Sequence, residues 1–180
     1  MKFYEDIPKF KDAGEYEVTV SLAYLETLME DYTKDYNLEL NPDFQRGHVW
    51  TEEQQIAYVE FFLRGGVSAR TIYLNCPYFT DYKVDKYDMD MVCVDGLQRL
   101  TALRKFLANE LPVFGHYLND FEDKKALLRK ESLRVNVNEL KTRKEVLEWY
   151  IDFNNGGTVH SREEINRVKK LLEDEKSKCL

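Results

Sequence analysis

Asp95-Gly96-Leu97-Gln98-Arg99 places a carboxylate, a glycine, an amide and a guanidinium in one short run. It follows the apolar stretch Met91-Val92-Cys93-Val94 and precedes Leu100-Thr101-Ala102-Leu103. A strand, a turn and a helix in that order aim backbone N–H groups and a guanidinium at one point, which is the equipment for holding a phosphate. Gly96 permits a tight turn or close approach of a ligand, Arg99 can neutralise phosphate charge, and Asp95 can ligate Mg²⁺ or act as a base. The same spacing has a second reading, because Asp95 and Gln98 stand as an N-cap residue and its N3 partner in a capping box. Spacing alone leaves the two readings even.

Two further stretches carry polar chemistry. In Asn41-Pro42-Asp43-Phe44-Gln45-Arg46-Gly47-His48-Val49-Trp50, Arg46 can clamp a phosphate with two parallel hydrogen bonds, and Gln45 can orient a ligand oxygen or a water. Alone, the stretch reads better as a turn whose Phe44, Val49 and Trp50 plug the core. Asn154-Asn155-Gly156-Gly157-Thr158 can wrap a phosphate or ribose with backbone amides, or end a helix and turn, and the second reading suits its glycines better. His48, His116 and His160 share no metal or triad spacing and read as surface or structural residues.

The elements that must position these groups follow from periodicity and caps. Strands are expected at 17–20, 71–74, 89–94 and 133–137, and helices at 21–31, from Thr51 to Gly65, at 100–109 and at 121–130. Thr51-Glu52-Glu53-Gln54, Thr142-Arg143-Lys144-Glu145 and Ser161-Arg162-Glu163-Glu164 have capping-box spacing; the last two open C-terminal helices, and residues 175–180 are expected to fray. Strands and helices mix without βαβ alternation or repeats, which predicts an α+β domain. One domain over 1–180 is expected, with a core at about 17–137 and a helical extension at about 141–175.

Composition narrows the classes. With 26 basic against 33 acidic residues the net charge is −7, which opposes broad electrostatic capture of DNA. Three cysteines, Cys76, Cys93 and Cys179, lack metal or disulfide-framework spacing. No apolar run reaches a membrane span and the N-terminus has no signal-peptide layout, so a cytoplasmic protein is expected, with oligomeric state open.

In their order and spacing the three stretches resemble the N-terminal domain of the GmrSD-type restriction family, part of the broader ParB/sulfiredoxin-like fold. The family pattern is roughly Pro-x-Tyr/Phe-Gln-Arg-x-aromatic-Val-Trp, then Asp-Gly-Gln-Gln-Arg-Leu-Thr, then Asn-x-Gly-Gly-Thr. This chain supplies Pro42, Phe44, Gln45, Arg46, Val49 and Trp50, then Asp95, Gly96, Gln98, Arg99, Leu100 and Thr101, then Asn155, Gly156, Gly157 and Thr158, across about 18–165. The resemblance implies a small mixed sheet surrounded by helices with a helical C-terminal part, and a nucleotide pocket. Asp95, Gln98 and Arg99 would form its catalytic side. Gln45, Arg46, Gly96, Arg99, Thr101, Asn155 and Gly156 would bind the nucleotide, and Asp95 would hold Mg²⁺. Relatives are associated with NTP binding or hydrolysis and with restriction of modified or foreign DNA.

Departures shape the expected function. Leu97 replaces a family glutamine, His48 an aromatic residue, and 67–70 lacks the usual prolines. A full enzyme of this type carries a C-terminal His-Asn-His nuclease domain, and none is expected within these 180 residues. The leading expectation is a Mg²⁺-dependent NTP-binding protein and NTPase in a restriction or phage-defence system. The alternative is an inactive regulator or decoy that binds a larger defence protein; a DNA-binding or nicking protein ranks third. With Leu97 in the motif, binding is expected ahead of hydrolysis.

Overall fold

A computed structural model describes residues 16–45, 47, 49–68, 70–80, 90–155 and 162–178, with the backbone alone at 155, 162–164 and 178. Its elements are β1 (Tyr16–Ser21), α1 (Leu25–Tyr36), α2 (Glu52–Leu63), β2 (Thr71–Asn75), β3 (Val92–Asp95), α3 (Leu97–Leu107), α4 (Lys124–Lys130), β4 (Ser132–Asn138), α5 (Arg143–Asn155) and α6 (Arg162–Lys178). One sheet takes the order β1-β4-β2-β3. β4 runs antiparallel to β1 and parallel to β2, and β2 runs antiparallel to β3, so the fold is α+β with a mixed sheet.

Alternation along the strands divides the apolar residues between the two faces. Ile72, Leu74, Cys93, Leu133, Val135 and Val137 join α1, α2 and α3 in the main core. Val92 and Val94 point the other way, into a second core with Phe44, Val146, Leu147, Trp149, Tyr150 and Val168. The sheet is therefore covered on one side by α1–α3 and, at its β3 end, on the other by α5 and α6. The outer edge of β3 is also occupied. Met91 N–H donates to Tyr36 O at 3.0 Å, Glu39 N–H to Met91 O at 2.8 Å, and Cys93 N–H to Glu39 O at 3.0 Å.

Several boundaries differ from expectation for identifiable reasons. The first helix opens as a 3₁₀ turn at Leu22–Tyr24 and continues to Tyr36, five residues past its expected end, before Asn37 closes it at φ 53°. Tyr32 and Tyr36 extend its buried face by packing on Phe79 at ring separations of 5.7 and 5.1 Å. The third helix begins at Leu97, not at 100, and α4 begins at Lys124, not at 121. The third strand is Val92–Asp95 instead of 89–94. The expected fraying from 175 is not seen, because α6 is helical through Lys178.

The capping box of Thr51 and Gln54 is present, with the Gln54 N–H on Thr51 Oγ1 at 3.4 Å and the Thr51 N–H on Gln54 Oε1 at 3.0 Å. Thr142 and Glu145 form the second box at 3.2 and 3.1 Å. The third, at Ser161, lies outside the described residues, as do 81–88 of the polar stretch 75–88 that the sequence places between the second and third strands.

Candidate functional site

The site grows from a register break in the β2–β3 hairpin. Tyr73 pairs with Asp95 and Leu74 with Cys93, so Val94 is an extra residue on β3. Such a bulge re-aims the side chains that follow it. It sets Asp95 opposite Tyr73 at the end of the strand, and the chain then turns at Gly96 with φ 109°. A Cβ at position 96 would lie 2.6 Å from Ile72 Cδ1 and 3.3 Å from Ile72 Cα, so both the conformation and the space require glycine. Helix α3 starts at once, with Gly96 at the N-cap and no side chain capping it.

This overturns the capping-box reading of Asp95 and Gln98. Gln98 turns away from its own helix terminus and bonds the neighbouring loop. Its Oε1 accepts the N–H groups of Val49 at 3.0 Å and Trp50 at 3.1 Å, and its Nε2 donates to Gly47 O at 2.6 Å. Gln45 answers from that loop, donating from Nε2 to Cys93 O at 3.0 Å and Val94 O at 2.8 Å. Two side-chain amides thus tie the first motif to the second in both directions. Backbone groups left by the bulge and by the open loop are satisfied in the process.

Asp95 and Arg99, one helical turn apart, form an ion pair through Oδ2 and Nη2. Arg99 is 14% exposed and Asp95 27%, so the pair is sheltered yet reachable. Beneath it, burial pushes the Cys93 thiol up to about 12; the Asp95 charge adds to the rise, and Arg99 and the Leu97 N–H oppose it. Burial likewise raises Tyr58 to about 12 against the pull of Arg99 and Arg70. Both groups are neutral at ordinary pH, so among the described residues the charge at the turn is carried by the Asp95–Arg99 pair.

Leu97 is 8% exposed and belongs to the main core. Its departure from the family pattern is therefore accommodated by packing beneath the turn. Thr101 lies one turn further on, its Oγ1 donating to Leu97 O at 2.8 Å. It borders a groove of about 410 Å³, lined also by Glu26, Leu40, Arg104 and Glu110, and not the turn itself. Arg46 and Gly156 lie outside the described residues, and Asn155 is described only as the last residue of α5.

Of the three residues expected to plug the core, Phe44 is buried, Trp50 partly so and Val49 exposed; what sequence reading missed is the two arginines that seat the first motif. Phe44, 2% exposed, inserts its ring against Tyr150 at 5.2 Å. Arg167 of α6 donates to Asp43 O at 2.8 Å, Phe44 O at 2.9 Å and Gln45 O at 3.0 Å. Arg143 of α5 grips both oxygens of Asp43 at 2.7 Å. An arginine that bonds main-chain carbonyls across more than a hundred positions leaves no local spacing to read.

Chemically, the turn offers a guanidinium, a carboxylate and the N-terminus of an uncapped helix, which is a setting for an anion. Among the described residues no three His, Cys, Asp or Glu side chains gather as a metal cage. Asp95, with one oxygen on Arg99, is a hard oxygen donor of the type a divalent cation takes. No helix among the described residues is long and apolar enough to cross a membrane.

Comparison with known proteins returned no match among curated proteins or solved structures. One family model, described as the GmrSD restriction endonuclease N-terminal domain, matches residues 25–178. That span runs from the first residue of α1 to the last of α6 and contains all three motifs, and so the chain belongs to the GmrSD N-terminal domain family.

Proposed function

We propose that this chain binds a nucleoside triphosphate with Mg²⁺ at the β3–α3 turn, hydrolyses it, and serves a system that restricts modified or foreign DNA. The observation that carries this reading is the pair of amide clamps, Gln45 on β3 and Gln98 on the 47–50 loop. They hold the chain on both sides of Arg46 against the turn that bears Asp95 and Arg99. Membership of a restriction endonuclease family supports the biological setting.

In this mechanism Arg99 and Arg46 hold the phosphates and Asp95 positions the attacking water. Gln98 acts by placing the loop, since both ends of its amide bond backbone. Water attacks the terminal phosphorus, the bond to the bridging oxygen breaks, and a diphosphate and inorganic phosphate leave. Mg²⁺, held by Asp95 and the phosphates, would supply charge neutralisation. The residues contribute orientation and electrostatics and form no covalent bond to substrate. Nucleotide binding and turnover by the wild type beside Asp95→Ala and Arg99→Ala test the reading: both variants are expected to lose Mg²⁺-dependent binding. Equal behaviour of all three proteins would remove it.

The engagement of Gln98 also favours a second reading, a catalytically inactive regulator or decoy that binds a larger defence protein. Thermal-shift screening against NTPs with Mg²⁺ separates the two classes, because a pure protein-interaction module gains no stability from nucleotide.

A further inference from the structure

Resting on that nucleotide reading, we propose that α6 latches the site through Arg167, a positioning residue for the loop that carries Gln45 and Arg46. The guanidinium donates to three successive carbonyls, of Asp43, Phe44 and Gln45, at 2.8 to 3.0 Å. Successive carbonyls converge on one group only where the chain is turned, and here the Gln45 N–H closes the turn on Pro42 O at 2.8 Å. A planar fork with donors fixed on two nitrogens holds these acceptors in one geometry, which the flexible, strongly hydrated ammonium of lysine does not reproduce.

Whatever fixes the carbonyls of 43–45 also fixes the backbone from which Gln45 reaches Cys93 O and Val94 O at the turn, and so seats the loop at residue 45. On the far side of that residue, Gln98 holds Gly47, Val49 and Trp50. The loop is thus suspended between two helices, α3 through Gln98 and α6 through Arg167. The ring of Phe44 runs from the same turn into the second core, where Val168, the neighbour of Arg167, also lies.

α6 is held by a narrow stripe. Ile165 and Val168 are buried, Leu171 and Leu172 partly so, and Asn166, Arg167, Lys169 and Lys170 are exposed. An element with few buried contacts sits at the low-stability end of a fold. Placement of α6 and order in the first-motif loop are therefore coupled, and by linkage an occupied site holds α6 in place as much as α6 holds the site. Because Arg167 is exposed to water, its bonds shape the loop more than they stabilise the fold.

Hydrogen exchange, melting and ligand binding of the full chain test this in wild type, Arg167→Ala and Arg167→Lys, with ATP, GTP and inorganic triphosphate as probes in Mg²⁺. Without ligand, Arg167→Ala is expected to speed exchange of the Val49 and Trp50 amides about tenfold, with Tm within about 2 °C of wild type. Its dissociation constant for triphosphate rises about threefold to tenfold. Arg167→Lys behaves like alanine in both. Ligand slows exchange of α6 in the wild type and not in Arg167→Ala. Wild-type exchange at Val49 and Trp50, undiminished affinity, or faster exchange spread evenly over the sheet with a lowered Tm would each overturn the latch. If the wild type binds none of the probes, the nucleotide reading falls by itself, and ligand-free exchange still decides whether Arg167 positions the loop.

Discussion

Gln45 and Gln98 hold each other's segments: the Gln45 amide donates to the carbonyls of Cys93 and Val94, and the Gln98 amide bonds Gly47, Val49 and Trp50. Neither bond set is local, with 48 to 51 positions separating the partners. A loop and a strand end that cannot pair as a ladder are joined by side chains that imitate backbone.

Gln98→Leu removes three hydrogen bonds and leaves two N–H groups and one carbonyl to water, at a cost of about 2 kcal/mol. Gln98→Glu keeps the acceptors but sets a carboxylate oxygen against Gly47 O, and is expected to fall on the same side of wild type. Urea unfolding measures both; an unchanged midpoint for Gln98→Leu would show that the clamp contributes nothing.

Asp95→Asn frees Arg99 from its ion-pair partner and removes the negative charge nearest the expected phosphate. Without Mg²⁺ the variant is expected to bind triphosphate more tightly than wild type, by about tenfold. Addition of Mg²⁺ should then change its affinity little. Titration calorimetry with and without EDTA reads both effects, and an unaltered Mg²⁺ response would exclude Asp95 from the ion's shell.

Gly96→Ala combines a left-handed backbone with a Cβ that meets Ile72. The expected loss is about 2 kcal/mol or more, several degrees in Tm. At Gly65, also at positive φ, an added Cβ would have nothing within 4 Å, so Gly65→Ala isolates the conformational part. Equal melting of the two variants would mean that the Ile72 contact is relieved by repacking.

Stability is expected to fall as pH rises from about 9 to about 12. In the unfolded chain the Cys93 thiol ionises near its ordinary 9.0 and Tyr58 near 10.0, whereas burial holds both to about 12 in the folded state. The folded state thus binds more protons within that window, and the slope of stability against pH is negative there. Below about pH 8 neither group contributes an appreciable slope. The same burial predicts that Cys93 resists thiol reagents at pH 8 until the chain unfolds, which peptide mapping after labelling would show.

Much of the framework is legible in the sequence because its signals are local. Thr51 with Gln54 and Thr142 with Glu145 announce helix starts, and the alternation of Leu133, Val135 and Val137 announces a strand with one buried face. The start of α3 is hidden because Asp95 and Gln98 share the spacing of a capping box, while tertiary partners claim the amide. The insertion of β4 between β1 and β2, the Val94 bulge and the Arg167 grip depend on contacts between distant positions, which a single sequence does not display. Leu97 invites a functional interpretation from its place in a motif, but its side chain packs in the main core.

The strand order β1-β4-β2-β3 has a consequence for biosynthesis. The strand between β1 and β2 is the last to leave the ribosome, ending at Asn138, and until it arrives the nascent chain holds β1 and the β2–β3 hairpin as separate pieces. The Asp95 turn is then attached to a two-stranded fragment, which is at best marginally stable in water. Joining such distant segments is slow and exposes apolar strand edges meanwhile. Truncation before β4 should therefore yield a chain that aggregates, and translational pausing after about residue 138 would favour a soluble product.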